Sequence, residues 1–161
     1  MNILVRTKAC DEAMSYMPRA LDFQSDEAFR SLSQGEYEAL CGRYDSAIKH
    51  LEFGAKELES RGQKPARPYV VLGFAYAASG NRSKAIETVE KFESMKGNRN
   101  VGFGLVAAYA HLGETEKMHR ALDELYKTGD ERLLQMKVDP RYDIIRNDPK
   151  FQEVLRKVNL L

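Results

Sequence analysis

The chain has 161 residues, 43% of them hydrophobic and 30% charged, with a formal net charge of +1. That length and mix suit one folded domain and exclude a disordered chain. A net charge so near zero leaves no bulk field to draw the protein onto nucleic acid or anionic lipid.

The N-terminal apolar run Ile3-Leu4-Val5 is too short for the core of a signal peptide. No segment approaches the roughly 18 consecutive apolar residues of a membrane span. Cys10 and Cys41 are distant in sequence and in no metal-ligand spacing, so reduced thiols and a cytoplasmic, soluble protein are the expectation.

Residues 9–22 read as the second helix of a helix pair whose first helix is absent. Ala13, Met17 and Ala20 return as Ala47, Leu51 and Gly54, each 34 residues later. Pro18 predicts a break near Met17, because an interior proline costs roughly 3 kcal/mol. A second helix starts on Ser25 or Asp26 as N-cap, carries Phe29, Leu32, Gly35, Ala39 and Leu40, and stops at Gly42. The next helix has the cleanest pattern of the chain, with Tyr44, Ala47, Ile48, Leu51, Ala55 and Leu58 on one face and Gly62 beyond its end. Pro65 and Pro68 make a stiff loop and a new helix start.

The stretch Pro68 to Phe92 organises the rest. Tyr69, Leu72, Gly73 and Tyr76 share one helix face, and Ala85, Ile86, Val89 and Phe92 share another after the break at Gly80-Asn81. Gly73 and Ala85 are the small residues expected at the closest crossing. Leu72, Tyr76, Gly80, Val89 and Phe92 recur as Leu105, Tyr109, Gly113, Leu122 and Leu125, all 33 residues on. Met118 replaces the alanine of the earlier pairs and predicts a small splay, while Gly102 and Gly104 weaken the helix that carries them by about 1 kcal/mol each. In the tail, Asp130 caps a short helix bearing Leu133, Leu134 and Met136. "DPRY" at 139–142 and "DPKF" at 148–151 each offer Asp as N-cap and Pro at the first helical position. Phe151, Val154, Leu155 and Val158 then form an apolar face suited to closing the end of the array.

Units near 34 residues, Leu-Gly before a Tyr, "GRYDSAI" at the turn and a small residue early in each second helix resemble tetratricopeptide repeats, over about residues 9–128. The tail "LLQMKVDPRYDIIRNDPKFQEVLRKVNL" is similar to the end of tetratricopeptide regions attached to bacterial winged-helix regulators, serine/threonine kinases and adenylate cyclases. Ile144 stands where that family often has proline, and Tyr142 where it more often has phenylalanine. The resemblance implies an all-α fold, a right-handed α-solenoid of antiparallel helix pairs with short C-terminal capping helices. The single domain over 1–161 would hold a partial repeat at 9–22, repeats at 25–62, 66–97 and 99–128, and a cap at 130–161. The absent opening helix suggests a fragment, or a chain that has lost an effector domain.

Chemistry is sparse. His111 and His119 would lie on the two helices of one pair, where groove-lining or exposed histidines are the expectation over a metal pair. No glycine-rich loop follows a strand. Glu57, Glu59, Glu87, Glu90, Glu93, Glu116, Asp123 and Glu124 alternate with basic residues as solvated faces do. The basic loops Arg61–Arg67 and Lys96–Arg99 are too short for RNA readout. The expectation is therefore no enzyme, cofactor, metal, nucleic-acid partner or small-molecule substrate.

In the family resembled, the first helix of each pair lines a concave groove that takes peptides. The matching positions are Arg67, Val70, Phe74, Ala77 and Ala78, then Asn100, Phe103, Ala107, Ala110 and His111. Their apolar character suits an amphipathic helix or apolar segment better than a carboxylate tail. Phe74 and Phe103 would be anchors, with Arg67, Asn100 and His111 setting polarity. Two occupants stand open: a protein or peptide partner docked on a scaffold, or the chain itself or a second copy, as in the regulatory or oligomerisation domain of a signalling protein.

Overall fold

The structure is a computed structural model that describes residues 9–95 and 102–160. Among these residues all regular structure is helical and there is no strand. In chain order the helices are α1 (Cys10–Leu21), α2 (Glu27–Leu40), α3 (Tyr44–Ser60), α4 (Ala66–Ala78), α5 (Arg82–Glu93), α6 (Gly102–Leu112) and α7 (Thr115–Thr128). There follow α8 (Leu133–Met136), a 3-10 helix (Pro140–Ile145) and α9 (Pro149–Lys157). No helix among the described residues is long and apolar enough to cross a membrane.

Local chemistry sets the boundaries. Asp26 caps α2 by accepting the Ala28 amide at 2.9 Å, and Asn81 caps α5 by accepting that of Lys84 at 3.3 Å. Gly42 and Gly62 end α2 and α3 with φ of +73° and +75°, which a side chain would strain. In the tail, Asp139 accepts the Arg141 amide and Asp148 the Phe151 amide, each ahead of a proline in the first turn.

Each helix packs on its neighbours in sequence, α2 on α3, α3 on α4, α4 on α5, α5 on α6 and α6 on α7. Beyond these, α2 touches α4, α4 touches α6, α6 carries the 3-10 helix and α7 carries α9. Between α2 and α3 the backbones come close because Gly35 and Gly54 have no side chain where each meets the facing helix. A Cβ on Gly35 would stand 2.9 Å from the Ala47 carbonyl, and one on Gly54 would stand 2.7 Å from that of Ala28. Ser31 adds a bond from its hydroxyl to the His50 carbonyl at 2.8 Å. One hydrophobic core runs from Ala28 to Leu155 and takes in both faces of α4 and α6, which bury most of the side chains they carry.

Four expectations change. α1 is not broken near Met17: it runs through Pro18, and Asp22 donates its amide to the Pro18 carbonyl at 3.0 Å. Pro18 lies on the exposed side, so the lost backbone bond is open to water instead of buried. Ala20 is exposed too, and Leu21 takes the buried place. Phe29 does not join the core; it points outward at 42% exposure. Last, Cys10 and Cys41 are not separate thiols but a disulfide, with Cα atoms 5.5 Å apart. The bond removes the ground on which reduced thiols and a cytoplasmic setting were expected, since disulfides persist in oxidising compartments.

The small residues have partners other than the spacing suggested. Gly73 faces Val89, not Ala85, which is itself fully buried. Gly104 is explained by Val70, whose Cγ1 would lie 1.7 Å from an added Cβ. Met118 is buried at 2% exposure while α7 still packs on α6.

Candidate functional site

Helices α2, α4 and α6, with the 3-10 helix after them, carry a chain of side-chain contacts from one element to the next. Glu36 on α2 accepts a hydrogen bond from Arg67 on α4. Phe74 on α4 meets the Tyr44 ring edge-on at 5.8 Å and the His111 ring of α6 at 5.1 Å. His111 Nε2 donates to the Arg141 carbonyl at 3.2 Å. Arg141 places its guanidinium 4.9 Å from the centre of the Phe103 ring. Tyr142 meets the same ring edge-on at 5.2 Å and stacks on Phe151 at 6.1 Å.

The charges follow from this burial. Arg141 is held by fully buried Asp139 at 2.6 Å; burial opposes the guanidinium charge, and Asp139 outweighs it and keeps Arg141 protonated. Arg146 then satisfies the outer carbonyls, donating to Met136 at 2.8 Å and Asp139 at 2.9 Å. Burial pushes the Glu36 carboxyl up, against the pull of Arg67 and Arg141. Burial likewise pushes His111 down, so its imidazole is neutral in neutral solution, and pushes the Tyr142 phenol up.

Of the residues expected to line the groove, Val70, Phe74, Phe103, Ala107 and Ala110 are buried, at 9% exposure or less. Ala77, Ala78 and His111 are half-buried and Arg67 is exposed. Asn100 and the loop 96–99 lie outside the described residues. Phe74 and Phe103 are thus not free anchors: Tyr44 and His111 cover one, Arg141 and Tyr142 the other. The cover at Phe103 comes from the C-terminal segment. His111 and His119 do not meet on a shared ligand, since His119 bonds Asp148 at 3.0 Å. No group of three or more metal-ligating side chains stands together among the described residues.

A second constellation escaped the sequence reading. Between α3, α4 and α5 lies a cleft of about 440 Å³ whose walls include Glu52, Glu59, Tyr69, Tyr76, Lys84 and Lys91. Lys91 Nζ donates to the Tyr69 hydroxyl at 2.6 Å, and that hydroxyl donates to Glu59. Tyr76 donates to Glu52 while Lys84 stands 5.2 Å from the centre of the Tyr76 ring. Hydrogen bonds from Tyr69 and Lys91 hold the Glu59 carboxyl below its usual range. The signal was present as a rhythm: Glu52 and Glu59, Tyr69 and Tyr76, and Lys84 and Lys91 are each seven residues apart, two helical turns. Tyr109, donating to Glu93 beneath Lys117, repeats the device one unit on. These groups satisfy one another, so they tie α3 to α4 and α5, and α5 to α6.

No protein-family model matches this chain, and no curated protein matches it.

Proposed function

We propose that the chain is a non-catalytic protein-interaction module, a solenoid of antiparallel helix pairs of the tetratricopeptide kind with a helical cap. The direction of contacts supports the architecture. Along α2 the partners Ala28, Ser31 and Gly35 advance while their counterparts on α3, Gly54, His50 and Ala47, retreat. The alternating sequence of neighbours supports it too, with α2, α4 and α6 touching one another as a layer.

The observation that carries the functional reading is this layer, which brings Glu36, Arg67, Ala77, Ala78 and His111 from three helices onto one surface. With Phe74 and Phe103 covered, what remains accessible is amphipathic: small apolar residues at the C-terminal end of α4, the exposed Arg67 about 16 Å away at its N-terminal end, and the half-buried His111 on α6. That surface suits a partner helix with one apolar face and an acidic residue beside it. Peptides selected from a displayed library for binding to the whole chain test this. Arg67→Glu and Ala78→Arg should each weaken the selected peptides by about tenfold or more, the scale of one lost charged or packed contact. Equal binding to both variants would place the partner elsewhere and end the proposal.

A second reading has its own support. Arg141 and Tyr142 seat the chain's C-terminal segment on Phe103, as in a regulatory domain whose groove is filled by its own chain. Tyr142→Ala distinguishes the two readings, because under the second it creates binding or self-association that the parent chain lacks.

A further inference from the structure

α1 is docked differently from the helices that follow it. Its buried side chains Ala13, Met17 and Leu21 lie outside the continuous core that begins at Ala28. Ala9 gives it no side-chain cap, Pro18 removes an internal hydrogen bond, and its packing is chiefly with α2. The Arg43–Asp11 ion pair at 3.0 Å is exposed and contributes little in water. The strongest tie between α1 and the rest is the Cys10–Cys41 disulfide.

The two ends of that bond are anchored unequally. Cys41 is the C-cap of α2, and its amide is already bonded to the Tyr37 and Glu38 carbonyls. Cys10 opens α1. Both residues are half-buried, outside the enclosed core.

We propose that the Cys10–Cys41 disulfide is a redox latch that fastens α1 over the end of the α2–α3 pair when oxidised and lets it go when reduced. The reductant is a dithiol. Its thiolate attacks one sulfur and expels the other as a thiolate, and its second thiol resolves the mixed disulfide. Two electrons and two protons pass to the protein, leaving two cysteine thiols, and the dithiol becomes a disulfide. Cys41 stays with α2, whereas α1 undocks and uncovers the apolar surface beneath Ala13, Met17 and Leu21. The latch does not depend on what the α2–α4–α6 surface binds.

Amide hydrogen exchange of the whole chain, before and after dithiothreitol, tests it. Reduction should speed exchange over Ala13–Leu21 by about tenfold or more while α4 to α7 keep their rates. Cys41→Ser should show the fast rate with or without the dithiol. Should that variant fail to fold, the parent chain decides alone, since reduction in place needs no substitution. The latch is overturned if α1 exchanges at one rate in both states, if α4 to α7 accelerate along with it, or if air-oxidised protein keeps two free thiols.

Discussion

Tyr142 donates its hydroxyl to the backbone carbonyl of Phe103 at 2.5 Å, and its ring meets the Phe103 ring edge-on across 39 residues of sequence. One fully buried side chain thus ties the 3-10 helix to α6 through a polar and an aromatic contact together. Tyr142→Phe keeps the ring and loses the bond, and should cost about 1 kcal/mol. Tyr142→Ala also empties the site and should cost about 3–5 kcal/mol. Urea denaturation measures both, and a Phe variant as costly as the Ala variant would mean that the hydroxyl dominates.

Gly104→Ala should destabilise by about 1–3 kcal/mol even though alanine favours helix by about 1 kcal/mol, because Val70 occupies the space and is stiff at χ1. Adding Val70→Ala should restore part of the loss. Thermal melts of the two single variants and the double variant read the coupling, and strict additivity would rule out the contact.

Acid should loosen the C-terminal cap first. Burial raises the Asp148 carboxyl, but the bonds from His119 and the Phe151 amide outweigh it and leave it below the ordinary value. Arg132 lowers Asp130, and Lys150 lowers Asp123. Carboxyls depressed in the folded state contribute stability that is present above the unfolded value near 4 and lost as pH falls through the folded values. Amide protection in α9, taken relative to the intrinsic exchange rate at each pH and followed from pH 6 downward, should fall below about pH 4, ahead of that in α4. Asp148→Asn, which retains a cap, should shrink that step.

Alkali acts on the tyrosines. Burial and then Glu52 push the Tyr76 phenol up, and burial and then Glu93 do the same to Tyr109. Groups raised in the folded state contribute stability that is full below the unfolded value of about 10 and falls as pH rises beyond it. Phenolate absorbance should therefore show a late fraction that appears together with loss of helix. Glu52→Gln should bring one tyrosine of that fraction forward, and an unchanged titration would remove Glu52 from the account.

Much of this architecture was legible because the deciding chemistry is local. Asp139 and Asp148 before proline, Gly42 and Gly62 past helix ends, and the face of Leu51, Ala55 and Leu58 each announce themselves within a few residues. Pro18 misled because its cost depends on which side of α1 meets solvent, and periodicity over so short a helix does not settle that. Phe74 and Phe103 look open in the sequence because their covers, His111 and Tyr142, lie 37 and 39 residues away. The pairing of Cys10 with Cys41, 31 residues apart, is also a product of tertiary placement. The Tyr–Glu–Lys contacts do leave a trace in the sequence, the matched seven-residue intervals of Glu52 and Glu59, Tyr69 and Tyr76, and Lys84 and Lys91.

In the solenoid proposed above, the segment that closes over Phe103 would also decide how many molecules an assembly can hold. Helices laid side by side present at the final layer the same kind of surface that received the layer before it, so the geometry contains no stopping rule. Here Asp139, Arg141, Tyr142 and Phe151 supply one. In the proposed solenoid, a chain cut after Val138 and carrying Cys41→Ser to free α1 would offer its last layer to the first layer of another molecule, a head-to-tail contact that does not close on itself. Such a chain should grow into filaments whose length rises with concentration, visible by light scattering, while the parent chain stays at a fixed size.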